Sequence, residues 1–261
     1  MSRFTEFILS RLSRDPGAED YLVDHYEEKH RSLEAAIAQF DGLFPDFKED
    51  ILDKRILDVG CSEGLEAIAF VNMGAREVVG IDIRTDEQIF KKLVAELAPS
   101  SNVTCIVMNA ERTSFPDCSF DRVVTVSSFE HFQNPQAILA ETRRLLKPGG
   151  KVYITSGVWS SPYGAHMHFF TKIPWVQFFF SEETIMKVRR LYRRDGARRF
   201  KEVEGGLNDI GVAKFKDVVR DSGLLIEFLY LNPVKNLKIL TKIPYINEFF
   251  TNMIHATLRK P

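Results

Sequence analysis

RILDVGCSEG, residues 55–64, is the stretch from which the fold is read. The apolar run Ile56 to Val59, broken by Asp58, ends at Gly60; Gly64 follows, and Leu65 to Phe70 has helical composition. This is strand, tight turn and helix, and small residues in such a turn let the backbone approach a ligand. A second strand, Val78-Val79-Gly80-Ile81, ends at Asp82, 18 residues beyond Gly64. An acid at about that offset meets ribose hydroxyls in a nucleotide-binding βαβ unit. The dinucleotide fingerprint G-x-G-x-x-G is not met, because Ser62 stands where its second glycine is wanted.

Outward from this unit the chain alternates. Strands are expected at 54–59, 77–82, 103–107, 120–126 and 151–156, and helices at 63–73, 86–97 and 135–146. Lys147-Pro148-Gly149-Gly150 makes the turn before the fifth strand. Such alternation predicts a mostly parallel sheet with helices on both faces, ligands binding at the carboxyl ends of the strands. A helix at 212–222 and strands at 224–231 and 253–259 bring the sheet to seven strands, a Rossmann-like α/β fold. Residues 158–210, rich in aromatics and arginine, lack the rhythm and read as an inserted lid. Upstream, 1–17 and 19–40 read as amphipathic helices. The expected organisation is one domain: a helical cap (1–50), a core (54–157), the lid (158–210) and a C-terminal part (212–261). A short echo joins Thr171-Lys172-Ile173-Pro174-Trp175 to Thr241-Lys242-Ile243-Pro244-Tyr245, each followed by phenylalanine pairs. It reads as chance or as two similar helix starts with proline in the first turn.

With Asp58 leading it, ILDVGCSEG resembles motif I of the class I S-adenosylmethionine (SAM) methyltransferases, where D-x-G-x-G-x-G is usual. The resemblance covers residues 54–157 and extends to Asp82, to Asn109-Ala110-Glu111, to Phe120-Asp121-Arg122-Val123-Val124 with Ser127-Ser128-Phe129-Glu130-His131-Phe132, and to Leu145 through Gly150. Methyltransferases of type 11, ubiquinone-pathway and many small-molecule enzymes among them, share this order. The resemblance implies SAM as cofactor and S-adenosylhomocysteine as product. It implies a cofactor site of Asp58, Gly60, Cys61, Ser62, Gly64, Asp82, Ile83, Asn109, Ala110, Glu111 and Ser127. Asp82 would hold the ribose, Ile83 would pack on adenine, and 109–111 would read its amino group. By the same resemblance Tyr21, His25 or Tyr26 touch SAM, against the plainer reading of half-buried helix residues. His166-x-His168 also suggests a metal, but in ubiquinone-type enzymes an acid preceding the Glu-His pair completes a magnesium site and here that place holds Ser127, so no metal is assigned and metal dependence stays open.

An oxygen nucleophile needs a base, and histidine suits the task near neutral pH. His131 follows the fourth strand; His166 and His168 follow the fifth, in SPYGAHMHF, residues 161–169. In an extended chain positions i and i+2 point the same way. His168 and His131 are therefore the first candidates and His166 the next, with Phe169 and Phe170 expected to bury His168 in part. The alternatives are an orienting or capping role for His131 and no role for the loop pair. KVRRLYRRDGARRFK, residues 187–201, carries eight Lys or Arg among 15 residues. It is either a solvated face or a phosphate clamp, with Arg193, Arg194 and Tyr163 as substrate contacts.

Composition narrows the function. Lys plus Arg (35) and Asp plus Glu (36) nearly cancel, so no global bias toward nucleic acid or membrane is visible. Three unpaired cysteines and a start without a long apolar run fit a reducing cytoplasm and no stable membrane insertion. The expected function is methyl transfer to a hydroxyl of a small molecule. From the SPYG-H-H pattern, which resembles the lids of bacterial glycan-pathway enzymes, the expected acceptor is a sugar, either as such or carried on a nucleotide diphosphate, in polysaccharide biosynthesis. The rivals are a lipid or phenolic acceptor and a catalytically silent SAM-binding module; the oligomeric state stays open.

Overall fold

Neighbouring residues along the central strands divide between two cores, which is how the sheet comes to be covered on both sides. Leu57, Val79, Val123 and Val152 enter one cluster; Ile56, Val78, Val124 and Tyr153 enter the other. A strand with a period of two sends successive side chains to opposite faces, and both faces here are apolar. The computed structural model describes residues 2–14, 33, 35, 37–38, 40, 42–168, 170–193 and 195–261. Most of the helix expected at 19–40, with Tyr21, His25 and Tyr26, lies outside the described residues.

The strands are β1 (Arg55–Val59), β2 (Glu77–Asp82), β3 (Val103–Val107), β4 (Phe120–Val126), β5 (Leu146–Gly157), β6 (Leu225–Pro233) and β7 (Thr251–Arg259). They form one seven-stranded sheet in the order β3-β2-β1-β4-β5-β7-β6. All neighbours are parallel except β7, which runs against both β5 and β6. The expected Rossmann-like sheet is present. Two strands begin two or more residues before the expected start. β5 begins at Leu146, since Leu146 already pairs with Phe120 and the Lys147–Gly150 turn is accommodated as an irregularity in the ladder. β7 begins at Thr251, two residues early, because Thr251 pairs with Pro233.

Helix α1 is Ser2–Leu12, α2 is Phe47–Ile51, α3 is Leu65–Asn72, α4 is Glu87–Leu97 and α5 is Pro135–Leu145. α3 opens directly from the glycine turn. α4 is capped by Asp86, whose carboxylate accepts the Gln88 and Ile89 amides, satisfying donors the first turn leaves free. On the second core face Phe40, Phe44, Phe47, Phe70 and Tyr153 stack edge to face. Asp50 of α2 ties this layer to the sheet: it accepts from Arg122 Nε (2.5 Å) and Nη2 (2.8 Å) and from the Tyr153 hydroxyl (2.5 Å). Burial alone would raise the Asp50 pKa, but these donors and the nearby Lys151 hold it below the usual carboxylate value.

The segment after β5 holds α6 (Val176–Phe179), α7 (Glu182–Arg189) and a 3₁₀ turn over Phe200–Gly205. It builds a third core of its own from Met167, Phe170, Val176, Ile185, Met186 and Val203. α1 belongs to it: Leu9 is fully buried there, Glu6 pairs with Lys187, and the Arg14 amide donates to the Phe170 carbonyl. The chain returns through α8 (Val212–Ser222), a 3₁₀ turn at Leu240–Lys242 and α9 (Asn247–Phe250). No helix among the described residues is long and apolar enough to cross a membrane.

Candidate active site

Gly60, at the end of β1, has φ 84°, a left-handed conformation that glycine adopts without strain. A Cβ on it would fall 2.4 Å from Ser128 Oγ. Ser128 Oγ in turn donates to the Gly60 carbonyl, so the turns after β1 and β4 touch here. The Gly60 and Cys61 amides both donate to the Ile81 carbonyl, drawing the turn against β2. At the end of β2, Asp82 accepts the Ser62 amide on Oδ2 and the Arg84 amide on Oδ1, each at 2.9 Å. An ionised carboxylate offers about four lone-pair sites. Asp82 therefore orders the turn and still has acceptor capacity toward the cleft it lines.

That cleft has a volume of about 480 Å³ and opens at the carboxyl ends of β1, β2, β3 and β4. Gly60, Ser62, Asp82, Ile83, Asn109, Ala110 and Glu111, all expected from the sequence, line it. So do Arg84, Met108, Ser128, Phe132, Gln133 and Ile138, which were not singled out. Ser128 takes the place expected of Ser127, which is exposed and spends its amide on Thr155. Three other expected residues stand behind the wall. The Cys61 side chain is buried, its Sγ 3.6 Å from Cys105 Sγ; that contact, and then burial, push the thiol pKa up. Gly64 makes room for Phe90 and Cys105, so its glycine serves packing. Asp58 is buried beneath the turn with Oδ2 unpartnered among the described residues. Burial first, then Glu66, Cys105 and Asp82, raise its pKa well above the carboxylate range. The Gly60 cradle and the Asp82 acceptors together fit a nucleoside-bearing ligand.

The far wall, 108–111, is held from α5. The Glu111 amide donates to Asn109 Oδ1, and Glu141 accepts both the amide and the hydroxyl of Thr113 at 2.7 Å. Arg144 also grips Glu141 through two nitrogens. The Arg144 hydrogen bonds first, then those from Thr113, bring the Glu141 pKa down to about 2 despite its burial. A carboxylate depressed from its unfolded value contributes stability that is complete above about pH 5 and is lost as pH falls through the folded pKa. Glu141→Gln is expected to cost about 1–3 kcal/mol of stability at neutral pH and to flatten the acid limb of the unfolding curve. Thermal melts from pH 2 to 8 measure both, with pH values read against the folded and unfolded carboxylate pKa.

His131 closes a 3₁₀ turn, Phe129–His131, directly after β4 and lines the cleft. Its Nδ1 lies 2.6 Å from the Gly206 carbonyl oxygen. A carbonyl only accepts, so Nδ1 carries the proton and Nε2 of the neutral ring is the basic nitrogen. Asn208 locks the turn: its Nδ2 donates to the Phe129 and Phe132 carbonyls and its amide to the Glu130 carbonyl. Asn208 escaped the sequence reading; the turn composition of Gly205-Gly206-Leu207-Asn208-Asp209 was the available signal.

Of the two loop histidines the structure brings His166, not His168, to His131. The His131 and His166 rings meet edge to face at 5.1 Å. His168 is exposed, which corrects the expectation that it is partly buried and ranks with His131. The reason is local: 162–165 turns, and His166 has φ 55°, so the i, i+2 alternation of an extended chain does not apply. Phe170 instead packs inward against Tyr192. Glu130 is buried beside the pair, Oε1 accepting the Gly157 amide and Oε2 unpartnered among the described residues. Glu130, His131 and His166 offer ligand atoms within 4.8 Å of one another, a nitrogen and oxygen donor set of the kind divalent metals use.

The expected substrate contacts are elsewhere. Tyr163 is half exposed and Arg193 half buried, and neither lines the cleft; Arg194 lies outside the described residues. Two of the eight basic residues in the run are structural, while Arg190, Arg198, Arg199 and Lys201 are exposed. Arg189 is fully buried and pairs through both terminal nitrogens with Asp195, while Lys187 bridges Glu6 and Glu183.

The strand order, the glycine turn and the acid closing β2 make the Rossmann-like fold of class I SAM-dependent methyltransferases. Residues 57–154 match the family model of a methyltransferase domain. The chain is 31% identical over 116 residues to the ubiquinone biosynthesis O-methyltransferase of Idiomarina loihiensis, covering 44% of this chain and 47% of that one. Against the enzyme of the same name from Xanthomonas oryzae pv. oryzae it is 34% identical over 108 residues, 41% and 44% of the two chains. The chain thus spans about half the length of the curated relatives it matches. A SAM-dependent methyltransferase structure from Mesorhizobium loti superposes with a TM-score of 0.59 at 18% identity, over 87% of this chain and 99% of that one.

Proposed function

We propose that the protein transfers the SAM methyl group to a hydroxyl oxygen of a small organic acceptor, with His131 as general base. The observation that carries this is the His131 ring at the cleft wall, held by Gly206 through Nδ1, which leaves Nε2 as the ring's acceptor. Gly60, Ser62, Asp82 and the 109–111 wall would hold the donor. Bound there, it supplies an electrophilic methyl carbon, so the chain need only bind, orient and remove a proton. As the acceptor oxygen attacks, its proton passes to His131 Nε2, and the carbon–sulfur bond breaks as the carbon–oxygen bond forms. His166 and Asn208 keep the ring in place.

A phenolic or lipid hydroxyl suits the acceptor better than a nucleotide sugar. Met108, Phe132 and Ile138 make the cleft wall apolar. Arg193, expected in a diphosphate clamp, does not line the cleft, and Arg189 and Lys187 of the same run are paired with carboxylates. The relatives' names point to O-methylation in ubiquinone biosynthesis. The test incubates the protein with SAM and, separately, catechols, long-chain phenols and nucleotide sugars, reading products by mass. Methylated catechol or phenol is the expected result. Methylation of the sugars alone overturns the acceptor assignment, and SAM binding by calorimetry with no product from any pool leaves a silent binding module.

A further inference from the structure

The two echoes in the sequence meet in space. Trp175 and Tyr245, each directly after a proline, adopt left-handed backbone (φ 56° and 66°), and each is followed by a single helical turn, α6 and α9. Proline thus precedes the turn in both copies and does not occupy its first helical position. The turns pack against each other: Trp175 meets Phe250 at 5.8 Å and Phe178 meets Phe249 at 5.7 Å. Their outer side is an apolar ridge. Phe179 is 69% exposed, Tyr245 87% and Ile239 76%, with Phe178, Ile246 and Phe249 also in solvent.

The two segments that carry this ridge are basic. No Asp or Glu occurs from Thr142 to Ser181 or from Phe228 to Asn247, in a chain with 36 acids. Lys172, Lys235, Lys238 and Lys242 are exposed in these same two segments. Nearby acids are turned away or paired. Glu248 accepts the Val212 and Ala213 amides, Glu182 accepts the Phe200 amide, and Glu183 pairs with Lys187. Exposed aromatic and aliphatic tips among lysines, without acids, complement the headgroup region of an anionic bilayer, where apolar burial and the surface potential add. A protein partner would not require both segments to be free of acids.

We propose that this ridge is a peripheral docking surface for anionic phospholipid bilayers. It is coupled to the loop bearing His166, because the Trp175 indole donates to the Ser160 carbonyl and Gln177 Nε2 donates to the Trp159 and Ser161 carbonyls. Docking would set that loop at the membrane surface. The proposal goes beyond the methyl-transfer reaction and is tested apart from it.

The experiment sediments the full chain with vesicles of phosphatidylcholine alone and of phosphatidylcholine with phosphatidylglycerol in equal parts. Binding to the mixed vesicles, weakened by salt, is expected. A single Lys238→Gln or Lys242→Gln should lower the partition constant about fivefold, the effect of about one surface lysine. The triple variant Phe179→Ser, Ile239→Ser, Tyr245→Ser should lower it more than tenfold with SAM affinity and melting temperature unchanged; these side chains are exposed and outside the cleft. Equal binding to both vesicle types, or none to either, overturns the proposal. So does a dimer in sedimentation equilibrium that the triple variant dissociates, which would assign the ridge to a second copy of the chain.

Discussion

Alanine at His131 is expected to lower kcat by about 10²–10⁴-fold with SAM affinity intact, the usual contribution of a general base. The size follows from the ring's arrangement. Its Nδ1 proton is committed to the Gly206 carbonyl, leaving Nε2 as the acceptor of a ring that lines the cleft. His166 touches the ring edge, so His166→Ala should cost less, through misplacement of His131. The exposed His168 should be replaceable by alanine within a few-fold. Asn208→Ala removes two hydrogen bonds from the turn that carries His131 and should lower kcat without any direct contact with the acceptor. Single-turnover rates at saturating SAM, with calorimetric SAM affinity alongside, check all four. Full activity in the His131 variant would assign the proton to another acceptor, and Glu130 or a metal held with His166 would be examined next.

The second large effect is at Asp82. Asp82→Ala should weaken SAM binding by about 1.5–3 kcal/mol, the range for hydrogen bonds to a charged group. That is about 10–150-fold in Kd. Two contributions are mixed in this number, because Asp82 also accepts the Ser62 and Arg84 amides that shape the turn. Asp82→Asn separates them: its single carbonyl oxygen can keep one amide but carries no charge. A melting temperature of the ligand-free alanine variant close to wild type would place the loss in binding. Unchanged Kd would remove Asp82 from the ribose site and with it the assignment of the turn.

The local half of this protein was determined by the sequence itself. The runs 77–82, 103–107 and 120–126 became strands with those bounds, and the turn from Gly60 with the acid at Asp82 became one wall of the cleft. These features rest on periodicity and on glycine conformation, which act over a few residues and are written in consecutive letters. Tertiary structure decided the rest. His166, and not His168, meets the His131 ring because one left-handed residue broke the alternation. Ser128 replaced Ser127 because Ser128 is the one that reaches the Gly60 turn. Arg189 was withdrawn from solvent by Asp195, and the 171–175 and 241–245 echoes acquired a meaning only when their helical turns packed together. Asn208 holds a turn 76 to 79 residues away in sequence. Such contacts depend on which buried donors and acceptors the packed chain brings within reach, and no local pattern of letters encodes that distance.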